Sequence, residues 1–321
     1  MRFIIEIFSI CFVLVNIYTF YKYKSGKQSF LALACGGIGA FLGMCLSKQP
    51  VSKKVKAFAA ISLIIAIIPI IHIVHGVTLG RSIQYVEIDF HSENWPPHLN
   101  GYRIAFMTDI HVITDEALRK VVAELNQRNI DLLLLGGDFS MYNAHYQGSI
   151  RELSKTITSD GIFGVDGNHD NYNSLFTAME RYGITPLDNS GTHIRDGFYL
   201  AGVQDLWNRN PNIAQATHGA YESDFVLLVS HNPDVTMVQP TTGIDLILSG
   251  HTHNGQIAFF GFPMYLLVGH ITNYGTRFAY GFAYSADGVP MFTSRGIGVY
   301  YAIPRIFARP EVVIFTMYAK G

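Results

Sequence analysis

Residues 131–138 read Asp-Leu-Leu-Leu-Leu-Gly-Gly-Asp, DLLLLGGD. Four consecutive leucines closed by a glycine pair suit a strand covered on both faces, the kind found inside parallel sheets. Asp138 then stands at the carboxyl end of that strand, where open α/β sheets gather their sites. A carboxylate leaving so apolar a strand is costly to bury unless a cation neutralises it.

Working outward, the same grammar recurs. The apolar run RIAFM at 103–107 ends in Thr108-Asp109-Ile110-His111. Leu118, Val121, Val122 and Leu125 then fall at i, i+3, i+4 and i+7, which predicts a helix over 115–128. IFGV at 162–165 leads into Asn168, His169 and Asp170, with a helix expected over 171–182. A strand at 198–203 follows a turn at Asp196-Gly197, 225–229 leads to His231, and 244–248 leads to His251 and His253. Residues 83–89 read as a first strand, interrupted by Pro96, Pro97 and Gly101. Residues 289–293 and 311–318 read as closing strands, and 204–222 as a surface loop within reach of a substrate. Strands alternating with helices make this an α/β domain.

The polar residues at these strand ends form an ordered series: Asp109, His111, Asp138, Asn168, His231, His251 and His253. Taken singly, each aspartate suits a helix cap and each histidine a satisfied surface or core group. Asp109 stands too far ahead of the 115–128 helix to cap it, and His251 and His253 can reach adjacent ions from one tight turn. Aspartate oxygens mixed with imidazoles suit divalent Mn, Fe or Zn. Two such ions, ~3.5–4 Å apart, clamp an in-line displacement at phosphorus.

The 321-residue chain also carries a different kind of segment. Residues 3–21, 30–46 and 57–75 are long apolar runs, against the roughly 17–25 residues a membrane span needs. Gly36, Gly37, Gly39, Ala40 and Gly43 give the middle run small-residue spacings that permit close helix contact. No small-residue cleavage site closes the first run, so a signal peptide is the weaker reading. The expected division is a membrane unit of about three transmembrane helices over 1–79 and a soluble domain over 80–321. Residues 1–79 hold eight Lys or Arg against Glu6 alone, whereas 80–321 hold fifteen against twenty-three Asp or Glu. No basic patch marks the large domain, which argues against nucleic acid, and nothing requires an obligate protein partner. Cys11, Cys35 and Cys45 all fall in the apolar runs, so the large domain has no internal disulfide. With three spans, Lys48, Lys53, Lys54 and Lys56 outweigh Lys22, Lys24 and Lys27. The positive-inside rule then places the large domain outside the cytoplasm.

The series D-x-H, G-G-D, G-N-H-D, H-N-P and G-H-T-H resembles the calcineurin-like metallophosphoesterase superfamily over about residues 100–310. Leu99-Asn-Gly101, Ala201-Gly-Val-Gln-Asp205, Arg295-Gly-Ile-Gly298 and Arg309-Pro-Glu311 are similar to its membrane-associated or exported bacterial branch. That branch usually has a second glycine after the last histidine, where this chain has Asn254. The resemblance implies a four-layer sandwich, two mixed β-sheets flanked by helices. It implies metal A on Asp109, His111, Asp138 and His253, and metal B on Asp138, Asn168, His231 and His251. Asp138 would bridge the pair, and a water or hydroxide between the ions would be the nucleophile. His169 would donate a hydrogen bond or proton to the phosphoryl group or leaving oxygen. Asp170 either orients a histidine, His169 or His231, or caps the helix beginning near Asn171.

The implied substrate is a phosphate ester or pyrophosphate, with Asn168 and Arg295 near its phosphate and Asn254 at the rim. Arg295 also reads as a surface arginine. Residues 259–267, FFGFPMYLL, with Phe259 and Tyr265, pack a core or admit a lipid-linked substrate beside membrane lipids. Tyr274, Phe278, Tyr280, Phe282 and Tyr284 extend the aromatic region. Similar enzymes include UDP-2,3-diacylglucosamine pyrophosphatases of lipid A synthesis, whose cytoplasmic site conflicts with the orientation above. Soluble nucleotides or small phosphorylated molecules are the other substrate class. The expected location is the bacterial cytoplasmic membrane, multi-pass, with an extracytoplasmic catalytic domain. A scaffold would be expected to lose ligands, and three short spans poor in polar groups make a poor channel.

Overall fold

The computed structural model describes residues 67, 70, 71, 73–111, 113–140, 146–259, 262, 263, 272–299 and 305–321. The chain divides into two compact units, Met1–Thr78 and Leu79–Gly321. The apolar runs at 3–21 and 30–46, and residues 57–66, 68, 69 and 72 of the third, lie outside the described residues. No helix among the described residues is long and apolar enough to cross a membrane.

In the second unit the elements run β1 (Gln84–Ser92), β2 (Tyr102–Met107), α1 (Asp115–Leu125), β3 (Leu132–Leu135), α2 (Tyr146–Leu153) and β4 (Ile162–Gly164). They continue through α3 (Tyr172–Arg181), β5 (Thr185–Pro186), β6 (Ser190–Arg195), β7 (Phe198–Gly202), α4 (Ile213–Thr217) and β8 (Phe225–Val229). The last are α5 (Val235–Val238), β9 (Leu246–Ser249), β10 (Ala258–Phe259), β11 (Phe262–Pro263), β12 (Gly281–Tyr284), β13 (Pro290–Thr293) and β14 (Glu311–Ala319).

Two six-stranded mixed sheets result, in the orders β1-β14-β2-β3-β4-β5 and β12-β13-β9-β8-β7-β6. The leucine run explains their stacking. Leu132 and Leu134 face the second sheet, in one cluster with Phe106, Phe198, Leu227, Leu248 and Phe292. Leu133 and Leu135 face the other way, against Leu118, Val121 and Leu125 of α1, Ile150 and Leu153 of α2, and Leu175 and Met179 of α3. The outer face of the second sheet carries Ala201, Val226, Leu228, Ile247 and Met291 against Ile213 and Ala216 of α4 and Val235 of α5. Alternate residues of one strand thus serve two cores, the layering expected of an α/β/β/α sandwich.

Helix ends follow local chemistry. Thr114 caps α1 by accepting from Ala117 N, and Asn171 caps α3 by accepting from Ser174 N. Strands β2, β3 and β4 are parallel, as are β7, β8 and β9. Their carboxyl ends deliver Asp109, Asp138, Asn168, His231 and His251 to one edge of the sandwich. The segment expected as a single loop over 204–222 contains α4, whose cap Asn212 accepts from Gln215 N.

Candidate metal centre

The backbone at this edge is unusual before any side chain is considered. Asp109, His111, Asp138, His251 and His253 all have positive φ, from 37° to 72°, half of the ten such non-glycine residues described. L-residues avoid this region, and such strain collects at functional sites where the surroundings hold it. The holding is visible. A Cβ at Gly167 would lie 2.2 Å from Asp138 Oδ1, and one at Gly250 would lie 2.1 Å from Thr108 Oγ1. Only glycine lets these loops close around the carboxylates.

Two lobes of donors converge on Asp138. In the first, His253 Nε2 lies 3.2 Å from Asp109 Oδ1 and 3.0 Å from His111 Nε2. His111 Nε2 in turn lies 3.4 Å from Asp138 Oδ2. In the second, His231 Nε2 is 3.2 Å from both Asp138 Oδ2 and Asn168 Oδ1, and Asn168 Oδ1 is 2.8 Å from His251 Nδ1. One oxygen, Asp138 Oδ2, therefore reaches both lobes. Asp109 also lies near both: it groups with His111 and His253, and with Asp138 and His231, as candidate donors within 4.8 Å.

The tautomers show what these donors await. His111 Nδ1 meets the Ser140 carbonyl at 3.0 Å, and His231 Nδ1 meets the Gly136 carbonyl at 2.8 Å. A carbonyl only accepts, so each Nδ1 carries a proton and each ring turns its Nε2 inward. Each Nε2 then faces a carboxylate oxygen of Asp138, at 3.4 Å for His111 and 3.2 Å for His231, a contact that a proton or a metal ion between the two satisfies. With metal–ligand bonds of about 2.0–2.2 Å, neighbouring donors sit about 3–3.5 Å apart, the spacing observed here. The residues present fit divalent cations.

Electrostatics agree. Burial disfavours the ionised form of Asp138, but His231 and His111 outweigh it and its pKa falls. Burial opposes charge on His231 too, yet Asp138 raises its pKa well above the usual value. Burial raises Asp109, and burial with His111 and Arg305 lowers His253.

His169 sits beside the lobes and is half-buried, its ring 5.4 Å from His111 and nearly perpendicular to it. Its backbone N–H donates to Asp138 Oδ1 at 2.9 Å. Burial lowers its pKa.

Several expectations are corrected. Asp170 neither orients a histidine nor caps α3. Its two oxygens accept the backbone N–H groups of Asp138, Phe139, Ser140 and Gly167, at 2.8, 2.9, 3.2 and 3.0 Å. It is a positioning residue that fixes the Asp138 loop. Arg295 is committed to Glu311, by Nε at 2.9 Å and by a second guanidinium contact, and lies over the Tyr280 ring at 4.2 Å. Its charge is neutralised there rather than offered to phosphate. Asn254 is 4% exposed, buried in the turn after His253 rather than standing at a rim. Its Oδ1 has no hydrogen-bond partner among the described residues. Phe259 lies in β10, and Tyr265 lies outside the described residues.

Two residues escaped sequence reasoning. Arg305 is 1% exposed; it donates to the Gly298 carbonyl at 2.6 Å and to the Ala308 carbonyl at 3.2 Å, and its Nη2 lies 3.1 Å from His253 Nδ1. Nothing in the sequence distinguishes this buried arginine from a surface one. Trp207 packs edge-on to His251, ring centroids 4.4 Å apart. A tryptophan inside an asparagine-rich loop was the available signal.

Residues 102–255 match the model of the calcineurin-like phosphoesterase family. The chain carries a calcineurin-like metallophosphoesterase domain. An uncharacterized metallophosphoesterase of Helicobacter pylori is 30% identical over 226 residues, covering 66% of this chain and 58% of that protein. A transmembrane protein with metallophosphoesterase domain of Danio rerio is 27% identical over 298 residues, covering 84% of this chain and 66% of that protein. Phosphodiesterase YaeI of Escherichia coli is 28% identical over 237 residues, covering 67% of this chain and 82% of that protein. The chain thus spans about 58% of the length of the first of these relatives.

Proposed function

We propose that this chain is a metal-dependent phosphoesterase that uses two divalent ions, Mn, Zn or Fe, to cleave phosphoester or pyrophosphate bonds. The carrying observation is Asp138 Oδ2, one carboxylate oxygen shared by two convergent lobes of donors. Asp109, His111, Asp138 and His253 would hold one ion, and Asp138, Asn168, His231 and His251 the other. When bound, the pair would supply a water of lowered pKa and charge that offsets a developing phosphoryl anion. Asn168 contributes a neutral oxygen, which limits negative charge where a phosphate must approach. His169, half-buried beside both lobes, offers an N–H to the phosphoryl or leaving oxygen. Asp170, through four amide N–H bonds, holds the Asp138 loop so that the carboxylate stays shared.

The finer reading is a lipid-linked phosphoester. Three apolar runs precede the domain, and Tyr280, Phe282 and Tyr284 are 40%, 52% and 62% exposed around the edge strand β12. Phe278, by contrast, is buried at 1%, so only part of the aromatic region is open to a ligand. A fixed-head-group series of increasing acyl length tests this, with short and long esters assayed below their micellar concentrations. Each fully buried methylene contributes roughly 0.8 kcal/mol, so four more should raise kcat/KM about a hundredfold. Equal efficiency for short, long and wholly soluble esters would sink the lipid reading and favour soluble nucleotides or small phosphorylated molecules; the name of the Escherichia coli relative suggests a phosphodiester bond.

The apolar runs, and the Danio rerio relative named as a transmembrane protein, support a multi-pass membrane location. With three spans, the lysine bias supports a catalytic domain outside the cytoplasm. Reporter fusions after Gly80 and Gly321 should be active only with an extracytoplasmic reporter. Activity of a cytoplasm-specific reporter alone, at both points, would reverse the orientation.

A further inference from the structure

The loop after β7 holds an exposed tryptophan against the donor cluster. Trp207 is 48% exposed, and its ring stands at 85° to that of His251. The backbone N–H groups of Trp207 and Asn208 donate to Asp205 Oδ2 at 2.8 and 2.9 Å. The Asn208 side-chain amide donates to the carbonyl of Asn168. Arg209 lies 3.8 Å over the Tyr172 ring and is anchored by Asp166 and Asp188 at 3.4 and 3.1 Å. Asp205 itself is fully buried.

An indole left half in water forgoes hydrophobic stabilisation that inward packing would provide. Here the loop is bonded on both sides of Trp207 and keeps it outward, next to a residue that would hold the second ion. An exposed aromatic beside convergent polar groups is the composition of a ligand site. The neighbours then decide the ligand's shape. Asn208 and Asn210 are exposed and Gln204 is partly exposed, while Leu206 packs against the core, so the polar side chains rather than an apolar wall continue from the indole along this loop. An acyl chain needs such a wall along its length, whereas a flat ring needs a single aromatic face.

We propose that Trp207 is a stacking platform for a flat, delocalised ring, a nucleobase or an aryl group, carried by the phosphoester on the His251 side. This rests on the reading of the cluster as a phosphate-binding metal centre, and it assigns the group nearest His251 rather than any acyl tail.

The test uses full-length protein loaded with Mn²⁺ and inert phosphonates, so binding is read without turnover. Calorimetry should find phenylphosphonate bound roughly tenfold or more tightly than methylphosphonate. Trp207→Ala should bring that ratio near one, and Trp207→Phe should restore most of it. Dodecylphosphonate affinity should be unchanged in Trp207→Ala. If that variant does not fold, Trp207→Leu, apolar but not aromatic, carries the same comparison. A matching preference for AMP over ribose 5-phosphate assigns the ring to a nucleobase; a phenyl preference without it assigns an aryl group. Equal phenyl and methyl affinities, a ratio that survives loss of the indole, or an equal loss for dodecylphosphonate would overturn the proposal. A protein that shows the ring preference without hydrolysing phosphoesters would retain the platform and lose the hydrolase reading. A hydrolase without the preference would do the reverse.

Discussion

Replacing Asp138 with asparagine is expected to empty both ion positions and to lower turnover by roughly 10⁴-fold or more, since water without such ions has a pKa near 15.7 rather than about 7. The substitution keeps the shape of the side chain and an oxygen for the His169 N–H, so the loop bonded at 2.9 Å is retained. It removes the negative charge that His111 and His231 both address, at 3.4 and 3.2 Å. Substitution of a ligand confined to one lobe, such as His251, should leave the other lobe's donors in place. Metal analysis with steady-state assay of bis(4-nitrophenyl) phosphate checks this, and a thermal unfolding curve confirms the fold. A variant retaining both ions and turnover within tenfold of the parent would remove Asp138 from the centre of the account.

His169→Gln is expected to behave in the opposite way, keeping the ions and losing rate. General acid–base groups contribute roughly 10²–10⁴-fold, with the larger losses on esters whose leaving groups are poor. His169 is beside the donors without belonging to either lobe, and its link to Asp138 is through the backbone N–H, which glutamine also has. Burial lowers its pKa, so near neutrality the ring is uncharged and still has one N–H to donate. The comparison is an alkyl ester against a 4-nitrophenyl ester of the same phosphate. Full activity of the variant on the alkyl ester would show that His169 plays no part in the chemistry.

Much of this architecture was legible because its signals are local. The leucine run predicted β3 from the absence of alternation, and the i, i+3, i+4, i+7 stripe predicted α1. The strand-end motifs brought seven donors together because parallel strands deliver their carboxyl ends to one edge. Other elements carry no such signal. β6, Ser-Gly-Thr-His-Ile-Arg, is an exposed edge strand with little apolar side chain to alternate, although its turn at Asp196-Gly197 was visible. α2 is eight residues long and includes Gly148 in its second half-turn, too short a window for a periodic stripe. The β12 strand is likewise short and lies at the edge of its sheet. Asp170 was misread for a different reason. Its place before α3 suggests a cap, but its partners are amides thirty residues earlier, on the loop after β3. Arg295 was misread because its partner, Glu311, stands at the start of β14 and belongs to the other sheet. Long-range pairing of this kind depends on sheet order, which no local pattern encodes.

The most direct test of the dinuclear centre is a count of metal on full-length protein purified without chelator and supplied with Mn²⁺ or Zn²⁺. Elemental analysis against protein concentration should give close to two divalent ions per chain, removable by chelation with loss of phosphodiester hydrolysis and restored on adding metal back. Saturation at one ion, or none, with hydrolysis unaffected by chelator, would contradict it.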